Sequence, residues 1–272
     1  MELTQILILA VVQALTEFLP ISSSAHLFLA SELWGWDYQG VLFDLGLHLG
    51  TLFAVVLWYR REWMAMAGGA LAWRPGTALD PQQRLLWHLI LATIPAAIAA
   101  LALSQAEGVS LALRRHEVIA ATEIGFGVAL WWAWRRASSS QNDEFALDWR
   151  TAVMIGCAQC LALVPGTSRS GICMTAALVL GMARPAAARF AFLMAVPIIS
   201  LGAAHAGLEF AKGEDQTPLA DFLIGMVASA GAGLLVIPLF LGTLQRIGMT
   251  PFLIYRLGLG ALLLWLLVRP VV

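Results

Sequence analysis

The chain has 272 residues, of which 60% are hydrophobic and 12% charged, and its mean hydropathy is +0.80. Soluble domains carry about one quarter charged residues, so a soluble globular fold is excluded, as are disordered, collagen-like and disulfide-stapled classes. Sixteen Lys+Arg against 17 Asp+Glu leave a net charge of −1, with no basic face for nucleic acid.

In chain order, Leu3 to Thr16 is apolar but short, because crossing about 30 Å of hydrocarbon takes about 20 helical residues. No basic n-region precedes it, so it is expected to stay in the mature protein. It runs into Glu17-Phe18-Leu19-Pro20 and the cluster Ser22-Ser23-Ser24-Ala25-His26, beyond which His26 to Trp34 is shorter still. Candidate spans follow at about 42–59, 86–104 and 118–134. A second short pair, Thr151 to Val164 and Gly171 to Met182, brackets Pro165-Gly166-Thr167-Ser168-Arg169-Ser170. Three more spans, at about 187–208, 221–241 and 251–268, complete the chain. Cys157-Ala-Gln-Cys160 lies inside an apolar run and reads as a packed pair of small residues.

Two half-length helices around a Pro-broken polar turn predict a re-entrant hairpin. Such non-helical backbone survives at membrane depth only where protein or water satisfies it. The expected fold is therefore an all-α integral membrane protein of six transmembrane helices plus two re-entrant helix–loop–helix hairpins. It forms one polytopic domain, 1–272, containing internal repeats of about 1–136 and 149–270. Gln13-Ala-Leu…Pro20 and its serines mirror Gln159-Cys-Leu…Pro165 and Thr-Ser-Arg-Ser, with one residue of gap. One hairpin plus three spans per half turns the second copy upside down, an inverted-topology repeat with its functional site near the repeat interface. Loops 60–85, 135–150 and 242–250 carry eight arginines, against Arg114, Arg115, Lys212 and Arg269 on the other side. The arginine-rich side is expected to be cytoplasmic.

Ionisable groups at membrane depth are costly and mark function by default. Glu17 and His26 flank the first turn and Arg169 lies in the second. A planar Arg, the hydroxyls of Ser22, Ser23, Ser24, Thr167, Ser168 and Ser170, and helix N-termini at the turns make an oxyanion site suited to phosphate. His26 shares a helix face with Ser23 if the second half-helix starts there. Hydroxyl, imidazole and carboxylate meeting one Arg point to phosphoryl transfer to Ser and then to water. One of Ser22–Ser24 is expected to serve only as an N-cap. His48 and His88, within full spans, read as packing or interhelical hydrogen bonding. Glu123, Asp44 and Arg256 read as pairs inside the bundle or as cavity lining. The same broken-helix architecture also suits a secondary transporter or flippase for an anionic or lipid-phosphate substrate.

Gln13-Ala-Leu-Thr-Glu17-Phe-Leu-Pro-Ile-Ser-Ser23-Ser-Ala-His26 and Pro165-Gly-Thr-Ser-Arg169-Ser-Gly171 resemble the two signatures of the bacterial undecaprenyl-diphosphate phosphatases, also called bacitracin-resistance proteins. His48-Leu-Gly-Thr51, Ala188-Arg-Phe-Ala-Phe-Leu193 and Tyr255-Arg256 extend the likeness over essentially the whole chain. The resemblance implies hydrolysis of undecaprenyl diphosphate to undecaprenyl phosphate and phosphate, which recycles the carrier for peptidoglycan and removes the bacitracin target. It implies a catalytic set of Glu17, Ser23, His26 and Arg169, with either Ser23 or His26 taking the phosphoryl group. Gln13, Ser22, Ser24, Thr167, Ser168 and Ser170 would bind substrate. It further implies a divalent cation, Mg or Ca, with Glu17 as its candidate ligand, and a bacterial inner-membrane location with the site facing the periplasm. Expected partners are the polyprenyl diphosphate and membrane lipid, and the family allows a homodimer. Gln13 stands where the family often has Glu, and Ala25 where Gly is common.

Overall fold

The computed structural model describes residues 1–36, 39–74, 76–137, 140–211 and 217–268. Lys212 and Arg269, part of the charge count above, lie outside the described residues. The elements are α1 Leu3–Phe18, α2 Ser23–Trp34, α3 Val41–Trp58, α4 Arg60–Ala72, α5 Pro81–Ser104, α6 Glu107–Leu113 and α7 His116–Arg136. They continue with α8 Trp149–Gln159 and its terminal 3-10 turn Cys160–Leu163, α9 Arg169–Val179, α10 Arg184–Ala211, α11 Leu219–Ile247 and α12 Thr250–Val268. Among the described residues the fold is all-helical, apart from one isolated bridge between Asn142 and Met182.

Local chemistry sets the helix boundaries. Asp80 opens α5 with a reciprocal capping box to Gln83, and Pro81 occupies the first turn, where its missing N–H costs nothing. Asp148 caps α8 by accepting from the Thr151 amide, a bond that holds its carboxyl below the ordinary aspartate range. α1 stops at Phe18 because Pro20 cannot continue it, and the 3-10 turn of α8 stops before Pro165-Gly166.

Among the described residues four helices are long and apolar enough to cross a membrane: α3, α5, Arg184–Leu208 of α10, and α11. This is a multi-pass membrane protein. α7 spans 21 residues but carries Glu117, Glu123, Arg135 and Arg136, which dilute its hydropathy, and α12 is apolar over Thr250–Leu266. The segments expected as loops at 60–85 and between the second and third spans contain α4 and α6. α4 forms because Met64-Ala-Met-Ala is strongly helix-favouring, and it docks on α5 through the Gln83 Nε2–H bond to the Gly69 carbonyl, 2.6 Å.

Surface and interior are inverted relative to a soluble domain. Ile94, Ile98 and Leu101 of α5 and Val227, Leu235 and Leu239 of α11 are exposed, whereas Gln13, Glu17, Glu123, Gln159 and Arg256 are buried. That is the distribution a hydrocarbon solvent selects. Helices then associate by close packing of small residues. On α3, a Cβ at Gly50 would meet the Met226 carbonyl, and Ser229 of α11 donates to the Leu47 carbonyl at 2.9 Å. On α8, a Cβ at Gly156 would meet the Ala92 carbonyl of α5. α1 packs on α11 and α8 on α5, while α3 meets α10 and α7 meets α12.

Candidate active site

The two polar turns meet at the centre of this packing. A cavity of about 240 Å³ opens between them, lined by Glu17, Ser22, Ser23, Ser24, His48, Gln159, Ser168, Arg169 and Ser170, with Ile198 and Ile199 among its apolar walls. α1 delivers Glu17 at its last turn, and the chain reverses at Pro20-Ile21-Ser22 so that α2 starts with Ser23. α8 delivers Gln159, and the chain reverses at Pro165-Gly166-Thr167-Ser168 so that α9 starts with Arg169. Ser22 and Ser168 both hold φ at +68°, a left-handed conformation that costs a serine about 1–3 kcal/mol. In each turn that serine faces the residue two ahead at the same distance: Ser22 Oγ to Ser24 Oγ and Ser168 Oγ to Ser170 Oγ are both 3.3 Å. Ser168 caps α9 by accepting from the Gly171 amide, at 3.2 Å.

Glu17 is the hub. Arg169 Nη2 donates to its Oε1 at 2.7 Å, Ser23 Oγ donates to its Oε2 at 2.7 Å, and Gln13 Nε2 reaches the same oxygen at 3.4 Å. The other arm of the Arg169 fork is fixed by the Ala191 carbonyl of α10, at 2.8 Å. A hydroxyl bonded to a carboxylate that is itself oriented by a third group is the geometry of an activated nucleophile. Beside it, the guanidinium and the first-turn amides of α2 and α9 offer donors to a tetrahedral oxyanion.

The structure brings together Gln13, Glu17, Ser22, Ser23, Ser24, Ser168, Arg169 and Ser170. Thr167 is fully buried behind the second turn, and its hydroxyl has no hydrogen-bond partner in the structure. His26 is placed differently from expectation. It shares the first turn of α2, but its Nδ1 lies 2.7 Å from the Ser22 carbonyl and its Nε2 2.6 Å from the Tyr255 hydroxyl, with the two rings stacked. It lines a separate, mostly apolar cavity between α1, α2 and α12, together with Leu15, Leu19 and Phe252. Three residues after Ser23 is close to one turn of α2, so the separation comes from the ring's own partners: the Ser22 carbonyl and the Tyr255 hydroxyl hold it away from Glu17. The imidazole beside Glu17 is instead His48 of α3, whose Nε2 lies 3.7 Å from Glu17 Oε2. Its Nδ1 donates to the Asp44 carbonyl at 2.8 Å, since a carbonyl can only accept, and this turns Nε2 toward Glu17 and the cavity.

The donor set suits a protein-held cation poorly. Among the described residues Glu17 is the only carboxylate lining the cavity, and both its oxygens are occupied by Arg169, Ser23 and Gln13. Among the described residues no group of three His, Cys, Asp or Glu side chains could hold a metal. A hard divalent ion prefers carboxylate and phosphate oxygens without a guanidinium among them, and these side chains do not offer that set.

The profile of the bacitracin resistance protein BacA family matches residues 6–262. The chain belongs to the BacA family. It is 48% identical over 97% of its length to undecaprenyl-diphosphatase 2 of Stutzerimonas stutzeri (strain A1501), covering 98% of that protein. It is 46% identical to the undecaprenyl-diphosphatase of Hahella chejuensis (strain KCTC 2396), covering 97% of this chain and 98% of the relative. Within this BacA-family chain, sequence reasoning assigned His48 to packing and left Gln159 and Arg256 outside the candidate site, although the expected pairing of Arg256 with Glu123 inside the bundle is found. A single histidine in an apolar span carries little signal, yet Asp44 one turn earlier marks the same helix face as polar. Gln159, aligned with Gln13 in the repeat, was legible as its counterpart.

Proposed function

We propose that this BacA-family protein hydrolyses undecaprenyl diphosphate to undecaprenyl phosphate and inorganic phosphate in the bacterial inner membrane. The observation that carries the reading is the Ser23–Glu17–Arg169 chain, which links one turn to the other inside a buried cavity. Arg169 and the turn amides bind the terminal phosphate. Ser23 Oγ attacks the terminal phosphorus as Glu17 takes its proton, and the bond to the bridging oxygen breaks to release undecaprenyl phosphate. Glu17, having passed that proton to the departing undecaprenyl phosphate, then accepts one from the water that attacks the phosphoserine and returns it to Ser23 Oγ as phosphate leaves. His48 Nε2 is placed to exchange protons with Glu17 and the water, and His26 anchors the first turn through the Ser22 carbonyl. His48→Gln is expected to lower kcat by at least about a hundredfold, the lower end of a proton-transfer contribution, and His26→Gln less. Parallel pH–rate profiles of the two variants check this, and a larger loss in His26→Gln refutes the assignment.

The finer architecture of this reading is six spans plus two re-entrant hairpins, related as inverted repeats. What supports it is the exchange of partners noted above: α1 on α11 corresponds to α8 on α5, and α3 with α10 and α7 with α12 are self-paired. The equal φ of Ser22 and Ser168 supports a register of Gln13 with Gln159 and Ser22 with Ser168, with no gap between them. Orientation with the cavity toward the periplasm is supported at both ends. Arg135, Arg136, Arg150 and Arg184 stack on tryptophans at the opposite end. A side cavity leads from Ser24 and His48 past Asp44 to Arg114. A transporter would share the exchanged packing but has no use for a nucleophile bonded to a base.

The test is phosphate release by the detergent-purified protein from a long-chain polyprenyl diphosphate and from a water-soluble diphosphate, each with and without chelator. The prenylated substrate is expected to be turned over with kcat/KM at least about a hundredfold higher, since the tail supplies remote binding energy. Equal values sink the lipid-substrate reading. No release from a folded preparation turns attention to substrate flux in liposomes.

A further inference from the structure

Breaking two helices at membrane depth leaves backbone carbonyls that must find donors inside the protein. Arg256 of α12, 1% exposed, supplies them for both turns at once. Its Nη1 donates to the Pro20 carbonyl of the first turn at 3.0 Å, and its Nη2 to the Gly166 carbonyl of the second at 2.7 Å. Both arms also reach the Thr167 carbonyl at 3.3 Å. The remaining donors face α7: Nη2 donates to the Thr122 carbonyl at 3.2 Å and Nε to the Glu123 carbonyl at 2.9 Å, with the Glu123 carboxyl oxygen Oε2 2.9 Å from Nε without a hydrogen bond. The side chain lies over Gly127, where an added Cβ would come within 3.2 Å of its Cβ, Cδ and Nε. Glu123, fully buried, is the acidic group beside it.

A guanidinium is suited to this task because its donors form a rigid planar fork. Pro20 lies three residues before Ser23, and Gly166 three before Arg169, so the fork grips equivalent points of the two turns. We propose that Arg256 is a positioning residue for the hydrolysis. By holding these carbonyls on one planar group, it fixes the spacing at which Arg169 of the second turn faces Glu17 and Ser23 of the first. The proposal rests on the hydrolase reading for its kinetic consequence. It differs from a general packing role because the loss falls on alignment of the reacting groups: Ser23 stays bonded to Glu17 within its own hairpin while the phosphate clamp drifts relative to it.

The experiment compares wild type, Arg256→Lys and Gly127→Ala as full-length protein in detergent. Arg256→Lys keeps a cation beside Glu123 but loses the fork, whereas Gly127→Ala keeps the Arg and displaces its stem. The readouts are kcat and KM for the polyprenyl diphosphate, normalised to folded protein, and hydrogen–deuterium exchange across residues 20–25 and 165–171. The expected result for Arg256→Lys is a kcat lower by about tenfold to a hundredfold with KM within about threefold, the pattern of a misaligned constellation. Exchange should rise at both turns while α5 and α10 remain protected. Gly127→Ala should show the same pattern with a smaller amplitude. Wild-type kcat in Arg256→Lys overturns the proposal, as does a loss of activity without faster exchange at both turns. If the wild type releases no phosphate, the hydrolase reading fails, and the exchange data alone decide whether Arg256 holds the turns together.

Discussion

Ser23→Ala is expected to reduce phosphate release from polyprenyl diphosphate by at least about ten-thousandfold, about 5.5 kcal/mol of transition-state stabilisation. The variant removes the oxygen that would form the covalent intermediate. The fold should survive, since Ser23 is only half-buried and its single hydrogen bond is to Glu17. Ser24→Ala, on the adjacent hydroxyl, should stay within about tenfold of wild type, as expected for one neutral hydrogen bond. The pair is decisive in a single-turnover assay that traps the phosphoenzyme: label on wild type and Ser24→Ala, none on Ser23→Ala. Label retained by Ser23→Ala would transfer the nucleophile role to another group, His48 being the nearest candidate beside Glu17.

Arg169→Lys should lower kcat/KM by at least about a hundredfold, the usual consequence of removing one preorganised donor from a developing oxyanion. Lys keeps the positive charge, so a purely electrostatic role would be largely preserved. What it loses is the second arm: Arg169 uses one nitrogen on the Ala191 carbonyl and the other on Glu17, and an ammonium cannot hold both directions in one plane. The loss should appear in kcat as well as in KM. Near-normal kinetics would reduce Arg169 to a structural tie between α9, α10 and α1. Because Glu17 and Arg169 are largely buried, removing either one alone leaves an uncompensated charge. Glu17→Gln therefore has to be read together with a check of folding.

Much of the site was legible in the sequence because the membrane makes polar residues conspicuous. Glu17 and Arg169 stand out against apolar flanks, and Pro20 and Pro165 announce that the helices break beside them. The half-helices were legible for the same reason, since apolar length is a direct readout of hydrocarbon thickness. α4 was not, because its alternation of Ala, Met and Gly fits neither a span nor a strongly patterned surface helix.

Which polar groups meet was a different matter. His26 and His48 are equally conspicuous in the chain, and their roles depend on rotation about α2 and α3, which only packing sets. The Tyr255 hydroxyl, 229 residues away, turns His26 outward, and the Asp44 carbonyl turns His48 inward. Arg256 reads locally as one charge in an apolar helix, yet its partners come from both turns and from α7. By itself the sequence determined that the chain lives in a membrane, that it breaks twice at polar turns, and that those turns gather one carboxylate, one guanidinium and a set of hydroxyls. These are properties of composition and spacing along one strand of chain. Only the tertiary structure decided which histidine faces Glu17 and which guanidinium holds the backbone of both turns. A side chain's partner at long range is set by helix rotation and close packing, and neither leaves a periodic trace in the local sequence.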